Sequence, residues 1–400
     1  MRYDVCIVGA GLIGLGVAHA IVERFPGVSV SILDKEPDVA AHQSSHNSGV
    51  LHSGLYYLPG SLKARLCIEG GRLVEDLCDE ESVPFRRTGK LVIATGADEV
   101  ARLDELERRG RANGLVGLRR LGPAEIAEFE PEAVGVAALH VPSAGVVDFP
   151  GVAGALRRRL EKYGALIGLG LAVDRIQQGG NGISVRAGGE EIRADLFINC
   201  AGLHSDRVAA LAGVKSKIRI VPFRGEYYSL APSQTHLVKS LIYPVPDARF
   251  PFLGVHFTRG VDDRVEVGPN AVLALGREHY RGARVDWVDL RETISAGAFW
   301  RLVGRHWWTG TSELLRSRSR SLYARSARRL VPAVRADHLQ PGGAGVRAQA
   351  LAPNGRLVDD FVIQEVGSMI HVLNAPSPGA TASLAIGAHI ATLAESHLRG

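Results

Sequence analysis

Three glycines and one acidic residue near the N-terminus have the spacing of a dinucleotide-binding turn. Gly9, Gly11 and Gly14 form G-x-G-x-x-G after the apolar run YDVCIV, and Asp34 follows Gly14 by 20 residues. Glycines at these positions permit a tight turn and let a pyrophosphate approach the N-terminus of the next helix, while the acid binds ribose hydroxyls. An acid rather than a basic residue at position 34 predicts NAD or FAD in preference to NADP.

Three further loops follow apolar segments and are placed to contact one long ligand. They are rich in Gly or Ser and cover residues 44–54, 199–205 and 374–381. The last loop leads into a C-terminal helix, whose N-terminal amides would stabilise an anion such as a reduced flavin. These loops favour FAD, with NAD as the alternative.

The elements that position these residues alternate between strands and helices over the first half of the chain. The hydrophobic pattern predicts strand 3–8, helix 12–25, strand 28–33, helix 61–81, strands 90–94 and 136–141, helix 150–163 and a strand within 195–202. A polar loop, residues 42–59, interrupts this alternation early, and a long loop at such a position is typical of a functional segment.

The second half of the chain changes pattern. Between Lys217 and Asp263 the consecutive runs IRIVPF, EYYSL, LIYPV, FLGVHFTR and RVEVG predict an antiparallel sheet. Residues 286–331 are expected to be helical and basic, and a strand at 369–373 leads into a helix at about 380–397. The chain therefore predicts an α/β fold in which a second layer is inserted into the first.

Composition and charge exclude several classes of protein. Hydrophobic residues make up 46% of the 400 residues and charged residues 22%, which excludes a disordered chain. A net charge of +5 is too small to indicate a nucleic-acid-binding protein. Four scattered cysteines predict a reducing compartment without a disulfide framework or a structural metal. The apolar run at 5–22 contains four glycines, so we interpret it as strand, turn and helix and not as a membrane span.

Five blocks of the sequence carry a resemblance to a known family. They begin at Ala41, Val221, Tyr243, Gly345 and His371, and read AHQSSHNSGVLHSGLYYLPGSLKARLC, VPFRGEYYSL, YPVPDARFPFLGVHFTRGVDDRVEVGPNAVLAL, GVRAQAL and HVLNAPSPGATASLAIG. The chain resembles, over nearly its whole length, the L-2-hydroxyglutarate oxidases and dehydrogenases of the FAD-dependent D-amino-acid-oxidase-like superfamily. Gly379 and Asp263 depart from the residues common in that family, but neither change removes a chemical group.

The resemblance implies a fold and a division of the chain. A doubly wound, Rossmann-type FAD-binding domain is expected from residues 1–85, 145–215 and 335–400. An interleaved substrate domain, built from an antiparallel sheet and helices, is expected from residues 86–144 and 216–334.

The resemblance also implies oxidation of L-2-hydroxyglutarate to 2-oxoglutarate, with hydride transfer to flavin N5. This chemistry requires a base for the hydroxyl proton and cations for two carboxylates. His52 and His256 are the main candidate bases and His46 is a third, although a lone histidine is more often a packed residue. Arg347 is the candidate partner of the C1 carboxylate, because a guanidinium matches a planar carboxylate, with a surface ion pair as the alternative.

The remaining site residues come from the glycine turn, the end of the second strand, the three loops and the matching blocks. Expected FAD contacts are Gly9, Gly11, Gly14, Asp34, Lys35, Ser44, Ser45, His46, Asn47, Ser48, Gly49, Cys200, Ala201, Gly202, Ser377, Gly379, Ala380 and Thr381. Candidates for the distal carboxylate are Tyr56, Tyr57, Arg224, Tyr243 and Arg259. Tyr227 and Tyr228 fit either this role or that of half-buried strand residues. No metal site is predicted.

The expected partners and location follow from the same reasoning. The partner is a small dicarboxylate, and the electron acceptor is oxygen or a respiratory quinone. The basic segment RSRSRSLYARSARR at 316–329 is interpreted as a solvated helix face, with membrane contact and nucleic-acid binding as alternatives. We expect a cytoplasmic protein, with peripheral attachment to the cytoplasmic membrane as the alternative.

Three other functions compete with this interpretation. The same fold could oxidise another small anion, such as glycerol 3-phosphate or an amino acid. It could bind flavin without turnover as a redox sensor. An NAD-dependent dehydrogenase would share the glycine turn.

Overall fold

The computed structural model describes residues 1–247, 254–280, 284–305 and 319–399. Within these ranges the strands are β1 (Arg2–Val8), β2 (Val30–Leu33), β3 (Val50–Leu51), β4 (Phe85–Arg86), β5 (Lys90–Ala94), β6 (Arg119–Leu121), β7 (Ala137–Val141), β8 (Gly145–Val147), β9 (Leu166–Gly168), β10 (Val173–Gly179), β11 (Gly182–Ala187), β12 (Glu190–Asn199), β13 (Arg219–Leu230), β14 (Leu241–Pro244), β15 (His256–Arg259), β16 (Val265–Gly268), β17 (Val272–Leu273), β18 (Leu339–Leu351), β19 (Val362–Val366) and β20 (Met369–Asn374).

The helices connect these strands and cover both sheets. They are α1 (Leu12–Arg24), α2 (Leu62–Glu81), α3 (Ala97–Ala112), α4 (Pro123–Phe129), α5 (Phe149–Lys162), α6 (Ser205–Leu211), α7 (Trp287–Ser295), α8 (297–305), α9 (Arg320–Ala327) and α10 (Ser383–Leu398). Short 3-10 turns lie at Gly202–His204, Pro232–Leu237 and Ala336–His338.

The first sheet is built around parallel strands that are buried on both faces. Its order is β10-β11-β12-β1-β2-β9, and β20 pairs in parallel with the end of β12. Strand β1 pairs in parallel with β12 and β2, and its residues from Val5 to Val8 are buried. Continuous apolar strands of this kind are typical of parallel sheets covered by helices. The carboxyl ends of β1, β2, β12 and β20 therefore meet at one edge, where ligands bind in such folds.

Helix α1 is buried on nearly all sides, which explains its apolar sequence. Its glycines allow close packing, since a Cβ on Gly387 of α10 would overlap the backbone of Gly16 in α1. The apolar run at 5–22 is thus a core strand and a core helix. Within the described part of the chain, no helix combines the length and the apolar character that crossing a membrane requires.

The second sheet is mainly antiparallel, and most of its strands come from residues 86–144 and 216–334. Its order is β17-β13-β16-β15-β14-β5-β7-β6, and β18 pairs with β13 over most of its length. A separate core of apolar residues packs against it, including Ile93, Phe257 and Tyr323. A third, small sheet joins β3, β8 and β4.

Most observed elements follow the sequence predictions, and they confirm the mixed α/β class. The runs IRIVPF and EYYSL, which were expected to be successive strands, form the single strand β13. Two parts of the predictions fall outside the described residues: positions 252–253 of one expected strand and positions 306–318 of the expected basic helix. Strand β18 joins the second sheet, although segment 335–400 was assigned to the FAD-binding domain. The division into domains otherwise stays a prediction.

Candidate active site

One large cavity lies between the two sheets. Its volume is about 790 Å³, which is within the usual range for sites that hold a small ligand or cofactor. The loops after β1, β2, β12 and β20 line one half, named the nucleotide half after its predicted ligand. Residues of β13, β14, β15 and β18 line the other, named the substrate half for the same reason. The topology thus brings the predicted cofactor loops and the predicted substrate residues to the same space.

The glycine turn after β1 has the close contacts that its sequence predicts. Gly9 has φ +109°, a conformation that residues with a Cβ rarely adopt. A Cβ on Gly9 would overlap the Cys200 carbonyl, and a Cβ on Gly14 would overlap the Gly9 carbonyl. Asp34 Oδ2 accepts a hydrogen bond from Ala10 N at 2.7 Å. The turn therefore keeps a space free of side chains beside the N-terminus of α1.

Most of the predicted cofactor residues line the cavity. They are Gly9, Gly11, Asp34, Lys35, Ser44, His46, Asn47, Ser48, Cys200, Ala201, Gly202, Ser377, Gly379, Ala380 and Thr381. Gly14, Ser45 and Gly49 do not line it. Gly14 packs beneath the turn. Ser45 N donates to the His42 carbonyl within its own loop, and the Gly49 carbonyl accepts from Val147 N.

A cluster of charged and aromatic side chains lies beside the nucleotide half. Glu278 accepts hydrogen bonds from Lys35 at 2.7 Å and from His204 at 2.6 Å, and these interactions lower the pKa of Glu278. Tyr280 stacks on His46 with ring centroids 3.9 Å apart. Glu36, His42 and Glu278 are close enough to share a metal ion, but the Lys35 ammonium already contacts these groups, so its charge opposes a cation there.

The three predicted catalytic residues meet in the substrate half of the cavity. His52 follows β3, His256 begins β15, and Arg347 lies on β18 opposite Phe223 of β13. These positions are far apart in the sequence, so the fold and not local spacing brings them together. Three of the predicted substrate residues, Tyr56, Tyr57 and Tyr243, line the cavity together with them.

His256 is held in one tautomer. Its Nδ1 is 2.8 Å from the Gly254 carbonyl oxygen, which can only accept, so Nδ1 carries the proton and Nε2 keeps a lone pair. The ring stacks on Tyr243 with centroids 3.9 Å apart. Burial lowers the pKa of His256 to about 3. The imidazole is therefore neutral, and its Nε2 is the nitrogen that can accept a proton.

His52 is held by the loop that begins the last helix. Its backbone N donates to Thr381 Oγ1 at 3.1 Å, and its Nε2 is 3.4 Å from Ser377 Oγ. Burial, followed by the charges of Lys90 and His256, lowers the pKa of His52 well below its usual value. His52 is thus also neutral, and its Nε2 lies beside the Ser377 hydroxyl group.

Arg347 has an aromatic neighbour in the cavity. Burial raises the pKa of Tyr227, and the Arg347 guanidinium opposes this rise. Tyr227 lines the cavity, which favours a role in the site over that of a strand residue alone. Tyr227 is one cavity residue that the sequence left undecided.

Two predicted substrate residues lie away from the cavity. Arg224 Nη2 donates to Glu226 Oε1 at 2.6 Å, and Arg259 donates to Asp263 Oδ1 at 2.9 Å and to the Val238 carbonyl at 3.1 Å. Neither side chain lines the cavity. The expectation that they bind the distal carboxylate is therefore corrected: their guanidinium groups are used in structural contacts on the other face of the second sheet.

Two lysines near the substrate half were not predicted. Lys63 of α2 lines the cavity and donates from Nζ to the Asp359 carbonyl at 2.8 Å. Lys90 of β5 is 1% exposed, and burial lowers its pKa to about 8. The sequence contained a sign of the buried Lys90, because it lies in the apolar strand KLVIA and such a strand is buried when both faces of its sheet are covered.

The site fits an FAD molecule. The glycine turn leaves space for a pyrophosphate, and the acid at the end of β2 can bind ribose hydroxyls. The backbone amides before α10 can stabilise an anionic ring. The cavity continues from this cradle to His52, His256 and Arg347.

The amino-acid sequence matches the family described as FAD dependent oxidoreductase over residues 4–393. The chain belongs to this family. As an FAD dependent oxidoreductase, it is an FAD-dependent redox enzyme, and the predictions of FAD as cofactor and of catalytic function are confirmed. The NAD-dependent alternative is not supported.

Several similar proteins share the name L-2-hydroxyglutarate dehydrogenase. The chain is 46% identical over 388 residues to L-2-hydroxyglutarate dehydrogenase of Indibacter alkaliphilus, covering 97% of both chains. It is 39% identical to L-2-hydroxyglutarate dehydrogenase of Escherichia coli K12, covering 99% of this chain and 94% of that protein. It is 40% identical to the mitochondrial L-2-hydroxyglutarate dehydrogenase of Mus musculus, covering 98% and 88%.

Solved structures confirm the fold of this FAD dependent oxidoreductase. L-alpha-glycerophosphate oxidase of Mycoplasma pneumoniae with FAD bound has a TM-score of 0.80 at 22% identity, covering 100% of this chain and 95% of that one. Glycine oxidase of Geobacillus kaustophilus has a TM-score of 0.74 at 21% identity, covering 99% and 95%. At these identities the likeness concerns the fold alone.

Proposed function

We propose that this protein oxidises L-2-hydroxyglutarate to 2-oxoglutarate with FAD as its cofactor. The observation that carries the proposal is the meeting of a neutral, oriented His256 and a cationic Arg347 in the cavity that continues from the FAD cradle. The names of the relatives that match nearly the whole chain support the same substrate.

The protein's own residues divide the chemistry between them. Arg347 binds the C1 carboxylate and fixes the α-carbon, since a guanidinium pairs with a planar carboxylate in a defined orientation. His256 Nε2 accepts the hydroxyl proton, because its Nδ1 proton is committed to the Gly254 carbonyl. Bound FAD supplies the acceptor for the hydride from the α-carbon. Tyr56, Tyr57 and Tyr243 form an aromatic wall that limits the access of water.

The first test is an anaerobic absorption spectrum of the purified protein before and after addition of L-2-hydroxyglutarate. We expect bleaching of the oxidised-flavin band with the L enantiomer, and none with the D enantiomer or with L-lactate. A yellow protein that the L enantiomer does not bleach would contradict the assigned substrate.

Two rival substrates are separated by the same assay. The structural neighbours include an L-alpha-glycerophosphate oxidase and a glycine oxidase. Glycerol 3-phosphate and glycine are therefore added to the same preparation. An amino acid requires an acceptor for its ammonium group. Of the described carboxylates that line the cavity, Asp34 lies at the glycine turn, and Asp247 and Asp359 are paired with Arg102 and Lys63.

The electron acceptor and the location belong to the same proposal. We infer a cytoplasmic enzyme that passes electrons to oxygen or, at a membrane surface, to a quinone-type acceptor. Membrane contact is supported by Trp287, Val288 and Trp300, which are 76%, 63% and 57% exposed on α7 and α8, because tryptophan favours the membrane–water interface.

The basic segment has a different arrangement. In α9 the described arginines are exposed while Tyr323, Ala324 and Ala327 are buried, as in a solvated helix face; Arg316 and Arg318 lie outside the described residues. Membrane contact is tested by sedimentation with phosphatidylglycerol vesicles. Binding should be lost in Trp287→Ser/Trp300→Ser and kept in Tyr163→Ser, which removes an exposed aromatic side chain just after α5. Equal binding by all three proteins would contradict the membrane contact.

A further inference from the structure

Lys90 is a buried cation behind the substrate half of the cavity. Its side chain belongs to β5 and is 1% exposed. The ammonium lies over the ring of Tyr243, 4.2 Å from the centroid, and over the ring of Tyr56, at 5.3 Å. Among the described residues, no carboxylate accompanies this charge. An unpaired buried charge costs free energy, so a compensating group is expected nearby.

Tyr56 provides the link from Lys90 to the cavity. Its ring contacts the Lys90 ammonium on one side, and the residue lines the cavity. Its hydroxyl oxygen is buried and has no hydrogen-bond partner within the described residues. A cation on the face of a phenol ring withdraws electron density, which makes the hydroxyl group a stronger donor. An anion that accepts a hydrogen bond from this hydroxyl would satisfy both the hydroxyl group and the buried charge.

The other cations of this half have different positions. Arg347 reaches the cavity from β18, next to Tyr227. Lys63 donates to both the carbonyl and the carboxylate of Asp359, so its charge is already compensated. Arg109 of α3 also lines the cavity, and its Nε donates to Glu105 Oε1 at 2.8 Å, so its charge is compensated as well. A substrate with two carboxylates requires two cationic subsites, and Arg347 accounts for one of them.

We propose that Tyr56 and Lys90 form the subsite for the distal carboxylate, in which Tyr56 donates the hydrogen bond and Lys90 is a positioning residue that favours a second negative charge. The proposal rests on the proposed function for the identity of the substrate. It makes Lys90 a determinant of specificity for dicarboxylates over monocarboxylates, although its ammonium does not line the cavity.

The test uses ligands that need no turnover. Glutarate and pentanoate have the same chain length and differ by one carboxylate, and their binding to the FAD-loaded protein is measured by perturbation of the flavin spectrum. In Lys90→Met we expect the dissociation constant for glutarate to rise by about tenfold and that for pentanoate to change by less than about twofold, since only the second charge is affected. Lys215→Met, which removes an exposed lysine, should change neither value.

A double variant tests whether Lys90 acts through Tyr56. Tyr56→Phe should lose the same preference for glutarate, and Tyr56→Phe/Lys90→Met should lose little more than either single variant, because the two residues form one subsite. Equal weakening of glutarate and pentanoate binding in Lys90→Met would overturn the proposal. If Lys90→Met fails to retain FAD, then Tyr56→Phe decides alone: an unchanged preference for glutarate overturns it.

Failure of the proposed function gives a different result. A wild-type protein that prefers glutarate but is not bleached by L-2-hydroxyglutarate has the dicarboxylate subsite without the assigned reaction. Where bleaching does occur, the KM for L-2-hydroxyglutarate should rise in Lys90→Met relative to that for L-2-hydroxypentanoate, with little change in the limiting rate of flavin reduction.

Discussion

At the residue scale, the base assignment can be tested by substitution. His256→Asn removes the free Nε2 lone pair, so we expect flavin reduction by L-2-hydroxyglutarate to slow by at least about 100-fold while FAD stays bound. His52→Asn should have a smaller effect, because His52 Nε2 faces Ser377 Oγ. Anaerobic stopped-flow absorbance measures both rates. Normal rates in both variants would show that neither histidine is the base.

On the alkaline side, the pH dependence of glutarate binding should follow the protonation of Lys90. Burial lowers the pKa of Lys90 to about 8, so the residue is a cation below that pH and neutral above it. Glutarate binding should therefore weaken as the pH rises through about 8, while pentanoate binding should not. The groups around Lys90 are not expected to titrate in this range, because burial lowers the pKa values of His52 and His256 and raises those of Cys67, Tyr56 and Tyr243.

The buried charge of Lys90 should also lower the free energy of unfolding. Its pKa in the folded protein lies below its unfolded value of 10.5, so the penalty is complete below about pH 8 and disappears as the pH approaches that unfolded value. Lys90→Met should raise the Tm at pH 7 while it weakens dicarboxylate binding. Differential scanning fluorimetry at pH 7 measures the change. A lower Tm would mean that Lys90 stabilises the fold and is not a costly functional charge.

The sequence predicted some of these residues and not others for physical reasons. The glycine turn and Asp34 have a local spacing that implies their contacts. Arg224 was misplaced because side chains alternate along β13: Gly225 and Tyr227 face the cavity, whereas Arg224 pairs with Glu226 on the other face. A shift of one residue reverses this pattern, and the register is fixed by pairing with β18 across the sheet.

At the element scale, the contact between α1 and α10 holds the last cofactor loop. Because a Cβ on Gly387 would overlap the Gly16 backbone, Gly387→Ala should push α10 away and shift the loop at 374–381. We expect a loss of about 1–3 kcal/mol in the free energy of unfolding and weaker FAD retention. Gly154→Ala in α5 is the matched control, since a Cβ there meets only the end of the Arg158 side chain. Urea unfolding and the flavin-to-protein absorbance ratio measure both effects.

Elements with local signals were predicted well, and pairings between distant elements were not. Ser61 was expected to cap the helix at 61–81, and its side chain accepts from Ala64 N. The sequence did not indicate that β5 pairs in parallel with β14 or that β18 runs beside β13. These contacts join residues more than a hundred positions apart, so they depend on the packing of the whole sheet and not on local periodicity.

At the scale of the whole molecule, one ion network connects the loop after β12 to the second half of the chain. Arg277 is 3% exposed and donates to the Leu203 carbonyl and to Asp206 Oδ1, each at 2.5 Å. Its backbone N donates to Asp289 Oδ2 of α7 at 2.6 Å. Leu203 lines the cavity, so Arg277 couples the position of a cofactor loop to the packing of α7.

Removal of this arginine should affect both stability and cofactor binding. Arg277→Met leaves Asp206 buried without its main cation, so we expect a loss of about 3–5 kcal/mol in the free energy of unfolding at pH 7. Burial alone would raise the pKa of Asp206, but Arg277 holds this pKa below its usual value. The stabilisation that Arg277 gives is therefore complete above the unfolded pKa of about 4, and it is lost as the pH falls through the folded pKa. The difference in unfolding free energy between wild type and Arg277→Met should accordingly shrink in acid, as urea titrations at several pH values would show. The exposed Arg175→Met serves as control, and an Arg277→Met protein as stable as that control would mean that the network does not hold the two halves together.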